Sequence, residues 1–217
     1  MDKGKKMAAL FDLDGVVFNT EPEYTGFWSG IGKKYRPDIP GLCDRIKGHT
    51  LTNIFAEYFP SEEVQKDIVK EIDRFEANMD FPWVNGFRRF LDELKGHQVL
   101  TAVVTSSNAE KMKAVYRTYP DFAQMFDHIF TAEDFKRSKP DPYCYLLGAE
   151  TFRLPIERCI VFEDSFSGLQ AGRSAGMKVV GLATTNPAES LKGKADVVIP
   201  DYTNFGFKDF EELINRK

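Results

Sequence analysis

Apolar residues in this chain gather into short unbroken runs separated by longer stretches of helical period. Met7 to Phe11 reads MAALF, and comparable runs follow at Val99 to Thr105, His128 to Thr131, Cys159 to Glu163, Lys178 to Leu182 and Asp196 to Ile199. Runs of that length without alternation suit strands buried on both faces. Between them, Phe87, Phe90, Leu91 and Leu94 recur at i, i+3, i+4 and i+7, with Gly96 where a C-terminal helix cap is expected. Ala109 to Tyr119, Tyr143 to Thr151 and Gly168 to Ala175 also read as helices. Strands alternating with helices from residue 86 onward predict parallel crossover units, hence an α/β fold with a doubly wound, mainly parallel sheet. Ligands then belong at the carboxyl ends of the strands.

The stretch 20–84 breaks this rhythm. It lacks convincing strands and carries Val64, Ile68, Ile72, Phe75 and Met79 on one helical face. Turn-forming residues border it, Thr20-Glu21-Pro22 on one side and Pro82 to Gly86 on the other. The expectation is an inserted helical domain over 20–84 within a core built from 1–19 and 85–217.

Composition narrows the field. A chain of 217 residues, 42% hydrophobic and 13% aromatic, can bury one large core and a modest appendage. A net charge of −4 with no basic stripe argues against nucleic acid as a partner. No apolar run approaches the roughly 20 residues that span a bilayer, so no membrane partner is expected. The start MDKGKKM leads into a strand rather than a signal core, and the expected location is cytoplasmic. Cys43, Cys144 and Cys159 are odd in number and far apart, which predicts reduced thiols rather than a disulfide framework or zinc site.

The chemistry concentrates at strand ends. Phe11-Asp12-Leu13-Asp14-Gly15 sets two carboxylates two residues apart, a spacing that points both to one side of a strand. Such a pair can bind a divalent cation and still offer an oxygen for attack. Alone it would be explained as well by a solvated turn. Three later strands, however, also lead into residues suited to a phosphoryl group: Thr105 after AVV, Lys139 in SKPDP, and Glu163-Asp164 after CIVF.

The ordered set FDLDG, VVTSS, KPDP and FEDSFSG resembles the four motifs of the haloacid dehalogenase superfamily, and the flanking DGVVFNTEPEY and FEDSFSGLQAGRSAGM look most like its β-phosphoglucomutase-like branch. The resemblance implies a Rossmann-like core with a helical cap at 20–84. It implies Asp12 as nucleophile, forming an aspartyl-phosphate, and Asp14 as general acid and base. Thr105 and Lys139 would hold the phosphoryl oxygens. Magnesium would be bound by Asp12, the Asp14 carbonyl and Asp164, with Glu163 reaching it directly or through water. In related caps a loop like Lys47-Gly48-His49 reads the leaving group, and Ser106 and Asn108 are candidates to bind substrate from the core side.

Two positions depart from the mutases of that branch. Tyr24 stands where they have a histidine twelve residues after the nucleophile, and Leu51 where they have an arginine that grips a second phosphate. Both changes favour a phosphatase acting on a small phosphorylated metabolite, most simply a sugar phosphate, over a β-phosphoglucomutase. A dehalogenase fits poorly, because Asp14 marks the phosphate-handling members. A response-regulator receiver is about half this length, and its acid pair lies on a different strand from the phosphorylated aspartate. A silent binding module would be expected to lack Asp12, Asp14 or Lys139. A monomer is expected, since a cap rather than a partner closes such sites.

Overall fold

A computed structural model describes residues 6–46 and 51–216. Its centre is a six-stranded sheet: β1 (Ala8–Phe11), β2 (Leu100–Val104), β3 (His128–Phe130), β4 (Cys159–Glu163), β5 (Lys178–Leu182) and β6 (Val197–Ile199). The spatial order is β3-β2-β1-β4-β5-β6 and every pairing is parallel. All six strands fall within the apolar runs read from the sequence.

In β1, alternate side chains feed separate cores. Ala9 and Phe11 join one cluster, Ala8 and Leu10 the other. The first cluster is dominated by rings: Phe11 packs on Phe87, Phe90, Phe126 and Phe162 at centroid distances of 4.7–6.5 Å. Each such ring removed from water contributes about 1.5–3 kcal/mol, so the high aromatic content is spent on this face of the sheet.

Among the described residues, ten α-helices accompany the strands. Four lie in the insert: α1 (Glu21–Tyr35), α2 (Leu42–Arg45), α3 (Leu51–Tyr58) and α4 (Glu62–Glu76). The others are α5 (Phe87–Gly96), α6 (Ala109–Thr118), α7 (Tyr143–Phe152), α8 (Phe166–Ser174), α9 (Ala188–Leu191) and α10 (Phe207–Asn215). Among the described residues no helix is long and apolar enough to cross a membrane. All three cysteines are free thiols, and burial pushes Cys144 up to about 11 and Cys159 up to about 12.

The helices α1–α4 surround a third cluster of their own, in which Trp28, Ile31, Leu42, Ile54, Phe59 and Ile68 are buried. Both of its connections to the sheet run side by side. The Asn19 amide donates to the Pro82 carbonyl at 2.7 Å and the Val84 amide to the Val17 carbonyl at 3.0 Å, around an antiparallel bridge from Phe18 to Trp83.

Two local expectations need correction. Gly96 is the last residue of α5 rather than its cap, and the left-handed conformation falls two residues on, at Gln98 with φ 58°. Met79 lies beyond the end of α4 and packs into the sheet's aromatic cluster, not with Ile68. Its apolar spacing matched the helix by coincidence of period, since a second core begins there.

Candidate functional site

The acid pair lies just beyond β1, not in it. The strand ends at Phe11, and Leu13 to Phe18 form a tight turn in which the Val17 and Phe18 amides both donate to the Leu13 carbonyl. Gly15 permits that turn with φ +72°, and a Cβ there would come within 2.1 Å of Asp164 Oδ2. The segment therefore needs glycine both for its conformation and for its approach to the neighbouring acid.

Asp12, Thr105, Lys139, Glu163 and Asp164 are all buried at the carboxyl edge of the sheet. Lys139 spends its three donors there. They go to Asp12 Oδ1 at 2.5 Å, Glu163 Oε1 at 2.7 Å and the Val104 carbonyl at 3.0 Å. The Lys139 ammonium also sits 5.1 Å from the centre of the Tyr145 ring. Burial works against the charge on Lys139, but Asp12 and Glu163 outweigh it and raise its affinity for the proton. At Asp12, burial pushes the carboxyl up to about 7 in spite of Lys139, with Glu163 and Asp14 adding to the rise.

Glu163 was expected to reach a metal directly or through water. Its two oxygens take protein partners: Oε1 accepts from Lys139 and from Tyr145 at 2.8 Å, and Oε2 from the Asp164 and Ser165 amides and the Ser165 hydroxyl at 3.0–3.1 Å. In this arrangement Glu163 stands as a buried brace behind Asp12 and Asp164. Gly168 makes room for it, since a Cβ there would fall 1.7 Å from Glu163 Oε1.

Asp164 is held from the far side by a loop the sequence reading missed. Thr185 donates to Asp164 Oδ2, Asn186 Nδ2 donates to the Asp164 carbonyl at 3.0 Å, and Thr184 donates to the Gly15 carbonyl at 2.5 Å. Burial pushes the Asp164 carboxyl well above its ordinary range, and the charges of Glu163 and Asp12 push it further. A cluster of three buried acids answered by one lysine is short of positive charge. Among the described residues no three acidic, imidazole or thiol side chains converge in a ready-made cage. Two carboxylates and a backbone carbonyl, completed by water and substrate, fit magnesium, which keeps part of its hydration shell.

The second acid of the pair faces a different set. Asp14 Oδ1 accepts from the Thr20 hydroxyl at 2.7 Å, and Oδ2 accepts from the Ser107 hydroxyl at 3.1 Å and from Lys111 Nζ at 2.5 Å. Burial alone would raise its pKa, but Lys111 and the two hydroxyls hold the carboxyl below its usual range. Lys111 also donates to the Tyr24 hydroxyl at 2.7 Å, which donates in turn to Glu76 Oε1 at 2.5 Å. Lys111, Tyr24 and Glu76 escaped the sequence reading as a set because only the fold unites α6, α1 and α4.

The remaining candidates are less occupied with the acids. The Thr105 hydroxyl accepts from the Ser107 amide at 2.9 Å and keeps its own proton to donate. Ser106 is exposed, while Asn108 caps α6 by accepting from the Lys111 amide at 2.9 Å. Leu51 opens α3 and packs against the insert's core. Lys47, Gly48 and His49 lie outside the described residues.

A parallel sheet with an acid pair after its first strand, a lysine braced between acids and a helical insert above that edge defines an α/β enzyme of the phosphate-handling type. A family model described as haloacid dehalogenase-like hydrolase matches residues 9–182. The chain belongs to that family. It is 31% identical over 202 residues to validoxylamine A 7′-phosphate phosphatase of Streptomyces hygroscopicus subsp. limoneus, covering 90% of this chain and 93% of that protein. It is 29% identical over 218 residues to glycerol-1-phosphate phosphohydrolase 2 of Saccharomyces cerevisiae, covering 91% and 83%. Among solved structures, a family IA, variant 3 HAD hydrolase from Entamoeba histolytica superposes with a TM-score of 0.85 at 22% identity, over 97% of this chain and 100% of that one. A β-phosphoglucomutase from Clostridium difficile superposes at 0.76 and 23% identity, over 97% of each. These likenesses carry the fold.

Proposed function

We propose that the protein is a magnesium-dependent phosphatase that hydrolyses a small phosphorylated metabolite, most simply a sugar phosphate, through an aspartyl-phosphate on Asp12. The observation that carries this reading is the bracing of Asp12 by Lys139 beside the buried Asp164, together with relatives named as phosphatases. In the proposed first step a carboxylate oxygen of Asp12 attacks phosphorus, and the bond to the leaving alkoxide breaks as Asp14, which takes up a proton from water in the substrate complex, gives that proton to the leaving oxygen. In the second, water attacks the same phosphorus while Asp14 takes its proton, releasing phosphate and restoring Asp12.

Lys139 fixes the direction of Asp12 and lends positive charge to the incoming phosphoryl group, and the Thr105 hydroxyl donates to one of its oxygens. Asp12, Asp164 and the Asp14 carbonyl would hold magnesium, with Glu163 bracing them. Bound there, the cation offsets the repulsion between two anions. Helices α1–α4 act as the cap, and Lys47, Gly48 and His49, along with Ser106, would contact the leaving group. We place the enzyme in the cytoplasm as a monomer.

Hydrolysis is favoured over mutase chemistry by Leu51, a half-buried apolar residue packed against the insert's core, which offers no charge for a second phosphate. The test is phosphate release with magnesium across sugar phosphates, glycerol phosphate, nucleotides and phosphoglycolate, with β-glucose 1-phosphate also followed for glucose 6-phosphate. Release from one small phosphomonoester, lost in Asp12→Asn with the melting temperature kept, is expected. Conversion of β-glucose 1-phosphate without phosphate release would make the protein a mutase.

A further inference from the structure

Lys111 is an expensive residue for this protein. It stands in the first turn of α6, where the helix dipole disfavours a cation, and its side chain is 2% exposed. A buried ammonium costs several kcal/mol unless its donors and charge are answered. They are answered by one acid of the core and by the insert: Asp14 Oδ2 at 2.5 Å and the Tyr24 hydroxyl at 2.7 Å, with the Tyr24 ring centre 4.9 Å from the ammonium. Glu76, at the end of α4, closes the chain by accepting from Tyr24. Thr20, one turn before Tyr24, holds the other oxygen of Asp14. A stability role would be served as well by an apolar side chain with Asp14 left to its two hydroxyls, so the cost points to the carboxylate that Lys111 holds.

We propose that Lys111, itself fixed by Tyr24 and Glu76 of the insert, is the positioning residue that sets the Asp14 carboxylate for its two proton transfers. The inference rests on the assignment of Asp14 as acid and base made above. In this scheme Lys111 meets neither substrate nor phosphorus and acts only through Asp14. It aligns Asp14 toward the leaving oxygen, and the insert takes part in that alignment through the Tyr24 hydroxyl.

The chemistry supplies a readout that a structural role would not move. A p-nitrophenolate leaves without a proton, whereas an alkoxide needs one, and a positioned general acid is worth about 100-fold or more. The kcat/KM reports events through the first phosphoryl transfer, so it isolates that proton. In Lys111→Met, kcat/KM for glycerol phosphate is expected to fall about 10- to 100-fold and that for p-nitrophenyl phosphate by under about threefold. Tyr24→Phe, which removes one oxygen and keeps the ring, should show the same selectivity at a smaller size. Because Lys111 acts through Asp14, Asp14→Asn with Lys111→Met should be no slower on glycerol phosphate than Asp14→Asn alone. Equal loss on both esters in Lys111→Met and Tyr24→Phe, or losses that multiply in the double variant, would overturn the proposal. If Asp14→Asn itself fails to discriminate between the esters, the acid/base assignment is what falls.

Discussion

Gly168 shows how closely side-chain size is set around the acids. Its missing Cβ is the space occupied by Glu163, whose two oxygens already accept five hydrogen bonds. Gly168→Ala would therefore displace a fully braced carboxylate, and a loss of about 1–3 kcal/mol or more is expected. Gly26, in the middle of α1 with no atom within 4 Å of a built Cβ, is the contrasting case. There alanine should stabilise by up to about 1 kcal/mol, because the helix loses a glycine and meets nothing. Urea unfolding of the two variants checks both signs. The same contrast explains which site residues could be read from sequence. Asp12, Thr105 and Asp164 directly follow strand ends, and Lys139 lies in the connection between β3 and α7, where chain order alone announces a ligand edge. Lys111 and Thr185 look like ordinary surface helix and loop residues until the tertiary structure turns them inward.

At the scale of elements, the insert has a core separate from the two that flank the sheet, and Ile68 on α4 is wholly buried in it. Ile68→Ala is expected to cost about 2–5 kcal/mol. The loss should appear as faster amide exchange in α1 and α4 while β1 and β4 keep their protection. Uniform loss across the sheet would show that insert and core unfold as one unit. Strands were legible in the sequence because burial on both faces leaves unbroken apolar runs such as VLTAVVT and CIVFE. The shorter helices were not. The four residues of α2 carry too few positions to show a period, and α10, though amphipathic, follows a run of turn residues that hides its start.

For the molecule as a whole, the proposed cation links catalysis to stability. Three buried acids and a single lysine leave a deficit of positive charge that folding alone must bear, so a cation bound only by the folded state should raise the melting temperature. At a hundredfold excess over Kd the gain is about 2.7 kcal/mol. Thermal scans with increasing magnesium should show this rise, and Asp164→Asn should remove most of it. A melting temperature indifferent to magnesium in the parent protein would argue against the cation site.

The strand order also bears on how the chain comes to be active. β1 is made first but lies in the middle of the sheet, between β2 and β4. During synthesis its second neighbour emerges only with Cys159 to Glu163, after the whole insert and two further crossovers. Contacts of such long sequence separation form late, and until then β1 has at most one edge covered. Helices α1–α4, by contrast, meet mostly within their own stretch of chain and can collapse early. Asp12 is therefore withheld from Glu163 and Asp164 until β4 has been made, and under the proposed mechanism a chain halted before that point lacks the companion acids its reaction needs.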